Sequence, residues 1–262
     1  MSRQTAPLRS RFFAAIAGLC AVLLVHAQPP QGQGKGGGKG KGPAQTPRAA
    51  APIDITGYWV SVVTEDWRYR MVTPPKGAFG GVPINGAGRG VANTWDPAKD
   101  EAAGQQCKSY GAAAIMRVPG RFHITWDNDT TLRIDADSGI QTRILYFGGT
   151  VPQNVEPSWQ GYSVAAWEVA GGGRGAARAG DLKVVTTHML AGYLRKNGVP
   201  YSANAVLTEY YDRFKAPNGE EWLEVLTEVV DPQYLSTPFV TTTHFKQQAD
   251  ATGWAPELCS SR

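Results

Sequence analysis

The sequence predicts a mainly β domain whose antiparallel strands close into a barrel or, as the alternative, fold into a sandwich. Three observations carry this. From Ile53 onward, aromatic and β-branched residues recur in short runs separated by Gly, Pro, Asn and Asp. The joins carry turn chemistry: Asp127-Asn128-Asp129, Asp137-Ser138-Gly139 and Pro217-Asn218-Gly219, the last a strong hairpin signal. No helical pattern long enough for a crossover stands between successive runs, which argues against parallel βαβ units.

Taken in order, the predicted strands are 55–64, 121–126, 130–135, 141–147, 161–169, 181–189, 203–214, 221–230 and 237–246. One short helix is predicted within 87–95, stopped by Asp96-Pro97. A second is predicted near 99–106. Residues 171–180 read as a Gly/Ala loop between two strands. No period of propeller-blade length is present, and Trp95-Asp96 and Trp126-Asp127 do not form a repeat.

The ends of the chain set the compartment. Arg3, Arg9 and Arg11 precede the apolar run Phe12–Val25, and Val25-His26-Ala27 places compact residues before a cleavage site. Residues 1–27 therefore read as a cleaved secretory signal. The apolar run is shorter than the ~20 residues a membrane-spanning helix needs, so no transmembrane segment is expected after cleavage. Arg9 and Arg11 are not adjacent, which does not support a twin-arginine signal, and Leu19 before Cys20 does not suit lipid attachment. Residues 28–52 hold Gly, Lys and Pro and almost nothing to bury, and read as a disordered linker. Residues 53–262 form the single predicted domain. The expected location is the periplasm or the exterior.

Net charge is +4 for the whole chain. Set aside the three basic residues of the signal and the four of the linker, and 19 remain against 22 acidic ones. The folded part is mildly acidic, so the nucleic-acid class loses its main support. Cys20 leaves with the signal. Cys107 and Cys259 remain, and parity in an oxidising compartment predicts a disulfide between them.

Three blocks resemble a widespread group of exported bacterial β proteins. They are Pro119-Gly120-Arg121-Phe122-His123-Ile124; Glu156-Pro157-Ser158-Trp159-Gln160-Gly161-Tyr162-Ser163 with Trp167-Glu168 and Leu182–Thr187; and Asn197-Gly198-Val199-Pro200-Tyr201-Ser202, continuing through Thr208-Glu209 to Asp231-Pro232-Gln233-Tyr234 and Pro238. The resemblance implies no activity. It places Cys107 and Cys259 where the group tends to have cysteines. It also implies His at positions that here hold Tyr162 and Tyr201. Separately, Gly57-Tyr58-Trp59 resembles the Gly-x-Trp opening of lipocalins, which implies a lipocalin-like barrel holding a small apolar ligand.

Candidate chemistry is sparse. Of the three histidines left after signal cleavage, His123, His188 and His244, no two stand at metal-motif spacing. A metal site would need His188 and His244 to meet inside the barrel with Glu209 or Glu228. Glu209 lies in phase with Leu207 and Tyr211, where an inward carboxyl could serve as acid or base, with His188 as the other candidate. Ser163 and Ser202 are available as nucleophiles, without an evident base. Trp159, Tyr162, Tyr193 and Tyr201 fall near predicted loops, where aromatic rings grip planar or sugar-like ligands. The expected function is non-covalent binding of a small apolar or aromatic molecule in the barrel, oriented by Trp159, Tyr162, Tyr201, His188 and Glu209. No cofactor is required. The alternatives are an isomerase, cyclase or hydrolase using Glu209 or His188, and an envelope-interaction protein acting through its tail.

Overall fold

The fold comes from a computed structural model, which describes residues 44–169 and 179–262. The predicted signal, most of the linker and most of the 171–180 loop lie outside the described residues. The strands are β1 (Gly57–Ser61), β2 (Arg121–Asn128), β3 (Thr131–Ala136), the two-residue β4 (Ser138–Gly139), β5 (Gln141–Phe147), β6 (Tyr162–Val169), β7 (Gly180–Thr187), β8 (Gly192–Arg195), β9 (Val199–Tyr201), β10 (Val206–Lys215), β11 (Glu221–Val230), β12 (Phe239–Gln248) and β13 (Glu257–Leu258). The helices are α1 (Pro47–Ala50), α2 (Trp67–Arg70), α3 (Gly86–Ala92), α4 (Pro97–Ala102), a 3-10 turn at Gln106–Ser109, and α5 (Ala112–Ile115).

Nine strands close into a barrel in the order β1-β12-β11-β10-β7-β6-β5-β3-β2. These are the nine strands predicted from the sequence, and the closed barrel replaces the sandwich alternative. Followed around the wall, the order is that of the chain, a meander. One expectation needs correction: the sheet is not wholly antiparallel. A meander with an odd number of strands cannot alternate direction all the way round, so one neighbouring pair must be parallel. That pair is β5 and β6, with Leu145 opposite Ser163.

Alternation fills the interior. Phe122 and Ile124 on β2, Leu132 and Ile134 on β3, Leu182 and Val184 on β7, and Leu223 and Val225 on β11 all point inward and are buried. Trp59 is fully buried and donates its indole N–H to the Ile55 carbonyl at 2.9 Å. Phe122 and Phe245 meet edge to face at 5.3 Å. Each such side chain contributes about 1.5–3 kcal/mol of transfer free energy.

Both barrel ends are covered. At one, the long β1–β2 connection carrying α2 to α5 packs with the β8–β9 hairpin around a second apolar cluster that includes Ile84, Leu194, Val199, Tyr201, Leu235 and Phe239. At the other, Trp126, Phe147 and Trp167 contact one another at 5.2 and 5.3 Å. There Trp167 donates to the Pro47 carbonyl at 2.8 Å, and Arg48 N–H donates to Asp129 O at 3.1 Å. Residues 44–52, expected to belong to the disordered linker, therefore form α1 and bind the barrel. Thr46 caps α1 from its hydroxyl, and Pro47 sits at the first helical position.

Cys107 and Cys259 are disulfide-bonded, with Cα atoms 5.1 Å apart and 152 residues between them. The bond anchors the C-terminal segment, where β13 pairs in parallel with β4.

Candidate functional site

The barrel interior holds an unexpected ionic group. Arg143 occupies the same face of β5 as Leu145 and Phe147, and its side chain is buried. Its two terminal nitrogens donate to Glu209 at 2.9 and 2.6 Å, and to Tyr211 Oη and Thr186 Oγ1 at 3.3 Å each. Thr186 in turn shares a 2.7 Å hydrogen bond with Ser163. Burial disfavours the Arg143 cation, but the opposed Glu209 and the Tyr211 hydroxyl outweigh it and hold Arg143 protonated. Burial, and Glu209 beside it, push the Tyr211 phenol well above its ordinary range. Glu209 is inward, as its phase with Leu207 implies, yet both its oxygens are occupied by one guanidinium. A carboxylate held this way is a structural counter-ion, not a free acid or base.

The other predicted site residues do not converge on it. Tyr162 faces outward, because its neighbour Ser163 takes the inward position on β6, and it stacks on Tyr146 at 4.7 Å. Tyr201 is fully buried outside the barrel, in the second apolar cluster. Gly111 and Gly192 make room for it, since a Cβ at either would lie 2.3 or 2.6 Å from its hydroxyl. His188 follows β7 in the left-handed region at φ 57°, its Nδ1 2.9 Å from Thr187 Oγ1. Trp159 is half-buried in the β5–β6 connection. Tyr193 donates to Asp100 at 2.9 Å. His244 faces outward on β12, because Thr243 and Phe245 point in, and its ring nitrogens lie 2.7 Å from Glu65 and 2.9 Å from Glu224. His188 and His244 therefore do not meet in the barrel. The Ser202 hydroxyl donates to Asp231 at 2.8 Å. The principal surface recesses are lined by none of Trp159, Tyr162, His188, Tyr201 and Glu209.

The recess with the makings of a binding site lies on the outer wall. Strand register sets four side chains directly opposite one another across β1, β2, β3 and β5: Tyr58, His123, Asp135 and Thr142. Tyr58 and His123 stack face to face at 4.0 Å, 3° from parallel. Trp254, in the segment after β12, meets both edge-on at 6.1 and 6.5 Å. Gly253 places it there: its φ is 79°, and a Cβ would lie 2.5 Å from the Arg121 guanidinium. These rings, with Arg133, Gln141 and Pro256, line an open recess of about 330 Å³.

The opposite side of the recess is polar and charge-balanced. Arg133 donates to Asp135 Oδ2 at 2.7 Å, and Thr142 donates to Asp135 Oδ1 at 2.5 Å. Partial burial pushes the Asp135 carboxyl up, but the hydrogen bonds from Arg133 and Thr142 outweigh it and hold it below the usual carboxylate range. Ile140, also lining the recess, sits at φ 50° and is half exposed. A β-branched residue in that region is strained, and such strain concentrates at functional positions.

This recess was not legible as a site from the sequence. Tyr58, His123, Asp135 and Thr142 are widely spaced along the chain and become neighbours only through register. The one available signal was the pairing of His123 in β2 with the hairpin turn at 127–130, which brings Asp135 back opposite it.

Compared with protein-family models, curated proteins and solved structures, the chain matches none. The fold and the recess define a class only: a closed nine-stranded barrel with a filled interior and an aromatic recess on its wall.

Proposed function

We propose that this chain is an exported binding protein for a neutral small molecule with one flat apolar face and a polar edge, the chemistry of a sugar ring. The observation that carries the reading is the aromatic trio Tyr58, His123 and Trp254 facing the Arg133–Asp135–Thr142 network across one recess. Rings supply the apolar contact, and the network supplies directed donors and acceptors. Arg133 and Asp135 cancel in charge, which favours a neutral ligand over an anion or cation. The volume suits one or two rings.

The proposal moves the expected pocket from the barrel axis to the outer wall, because packed side chains occupy the interior. It favours binding over acid–base chemistry, because both Asp135 oxygens are already engaged. Export rests on the pattern of residues 1–27 and agrees with the Cys107–Cys259 bond. The lipocalin-like likeness is compatible with the barrel and adds no ligand.

The test is calorimetric titration of the oxidised chain with a panel of neutral mono- and disaccharides, and with an aryl sulfonate as charged counter-probe. Trp254→Ala should weaken binding of the best saccharide about 3- to 10-fold, the worth of one aromatic contact. Arg133→Gln should do so as well. Unchanged affinity in both variants would remove the recess from the account.

A further inference from the structure

Three arginines and a lysine converge where the β1–β2 connection meets the barrel. Arg70 ends α2, Arg117 follows α5, Arg195 ends β8, and Lys196 comes next. They line one small recess of about 30 Å³ together with Tyr69 and Ser109. The three arginines are each more than nine-tenths buried. Burying like charges side by side is costly unless anions or acceptors compensate them.

The compensation present is incomplete. Arg117 is paired with Asp66 at 2.5 Å. The carboxylate nearest Arg70 is Glu65, 3.9 Å away, and Glu65 also lies 2.7 Å from His244. Arg195 has no carboxylate partner among the described residues. It donates from Nη1 to the Gly80 carbonyl at 2.6 Å, and its guanidinium lies 4.0 Å from the Tyr69 ring centre. Arg70 Nε and Nη1 are spent on the carbonyls of Arg117 and Val62. That leaves Arg70 Nη2 and Arg195 Nε, both buried and without an acceptor. Lys196 is half-buried and donates to the Arg262 main-chain oxygen at 3.3 Å, so the deficit lies with the buried arginines: two carboxylates face three guanidiniums. Desolvation, and the charge of Arg117 close by, push Arg70 and Arg195 below the ordinary arginine range.

We propose that this recess is a binding site for one small inorganic anion of halide size, held by the unspent N–H groups of Arg70 and Arg195. A negative charge there would satisfy both orphan donors and offset the excess positive charge. The size follows from the small volume of the recess, room for one ion of halide size.

The site is tested by thermal unfolding of the oxidised full chain in sodium chloride, sodium bromide, sodium sulfate or sodium gluconate, at one ionic strength so that screening is constant. Chloride and bromide should raise the Tm saturably over gluconate by roughly 2–4 °C, and sulfate should not. In Arg195→Met, which keeps the stem over Tyr69, the halide-dependent rise should vanish. Crystals of the unsubstituted protein grown in bromide should show one anomalous peak between Arg70 and Arg195, a readout that depends on no variant. No peak, or a Tm insensitive to halide, would overturn the proposal. So would the same halide response in Arg195→Met, or stabilisation by sulfate in place of halide.

Discussion

Arg143 sets the energetics of the barrel at the scale of single residues. Its guanidinium is buried, and its one carboxylate partner, Glu209, is buried with it. Removing either alone leaves an uncompensated charge in a medium that cannot solvate it. Arg143→Met should therefore destabilise the fold by about 3–5 kcal/mol, read by urea unfolding. Arg143→Met combined with Glu209→Leu should recover most of that loss, because no charge is then stranded. A double variant as unstable as the single one would show that the pair is worth more than its charges. Asp135 gives a second test at this scale. Its carboxyl is held below the usual range, so its contribution is present above the unfolded value, about 3.9, and is lost as pH falls through the folded one. The stability gap between the parent chain and Asp135→Asn should be constant near neutrality and should close on acidification below about pH 4. A gap that widened instead would contradict the Arg133–Asp135–Thr142 network.

At the scale of elements, the barrel strands were readable because each carries its own period-2 signal. Gln141–Phe147 and Glu221–Val230 match to the residue, and the other seven differ only at their ends. The parts that escaped have physical reasons. β8 and β9 are too short to show a period, and β9 contains Pro200. α1, α2 and α5 are four residues each, less than a nucleated helix, and exist only through packing and caps. The parallel β5–β6 pair follows from the strand count, which closure supplies and local pattern does not. Arg143 was half legible: an arginine in phase with Leu145 and Phe147 has to find a buried anion, though the sequence does not say which. Parity gave Cys107 and Cys259 correctly, and their bond holds the C-terminal segment that delivers Trp254. Cys107→Ser with Cys259→Ser should cost about 2–4 kcal/mol, measured as a fall in Tm. It should also make residues 249–262 newly sensitive to proteolysis. Unaltered protection there would mean that β13 and the packing around Tyr110 suffice.

At the scale of the molecule, the sequence pointed into the barrel and the structure points to its wall. A nine-stranded barrel of this size can hold a ligand, but here Trp59, Phe122, Leu132, Tyr211 and Phe245 occupy the axis, and both ends are covered. The proposed site lies instead on a surface built by register and by the segment after β12 that packs over β1 and β2. Residues predicted as a ligand cage or a metal site were scattered by two simple rules. Alternation turned Tyr162 and His244 outward, and chain excursion carried Tyr201 into a separate core.

The measurement that tests the central claim most directly is an NMR titration of the oxidised chain with neutral saccharides. It would follow the Trp254 indole and the backbone amides of Tyr58, His123, Asp135 and Thr142. The account predicts saturable shifts confined to those groups and their neighbours across β1, β2, β3 and β5. Shifts centred on Arg143, Glu209 and Leu182 would place the ligand inside the barrel and contradict it, as would a silent recess across the whole panel.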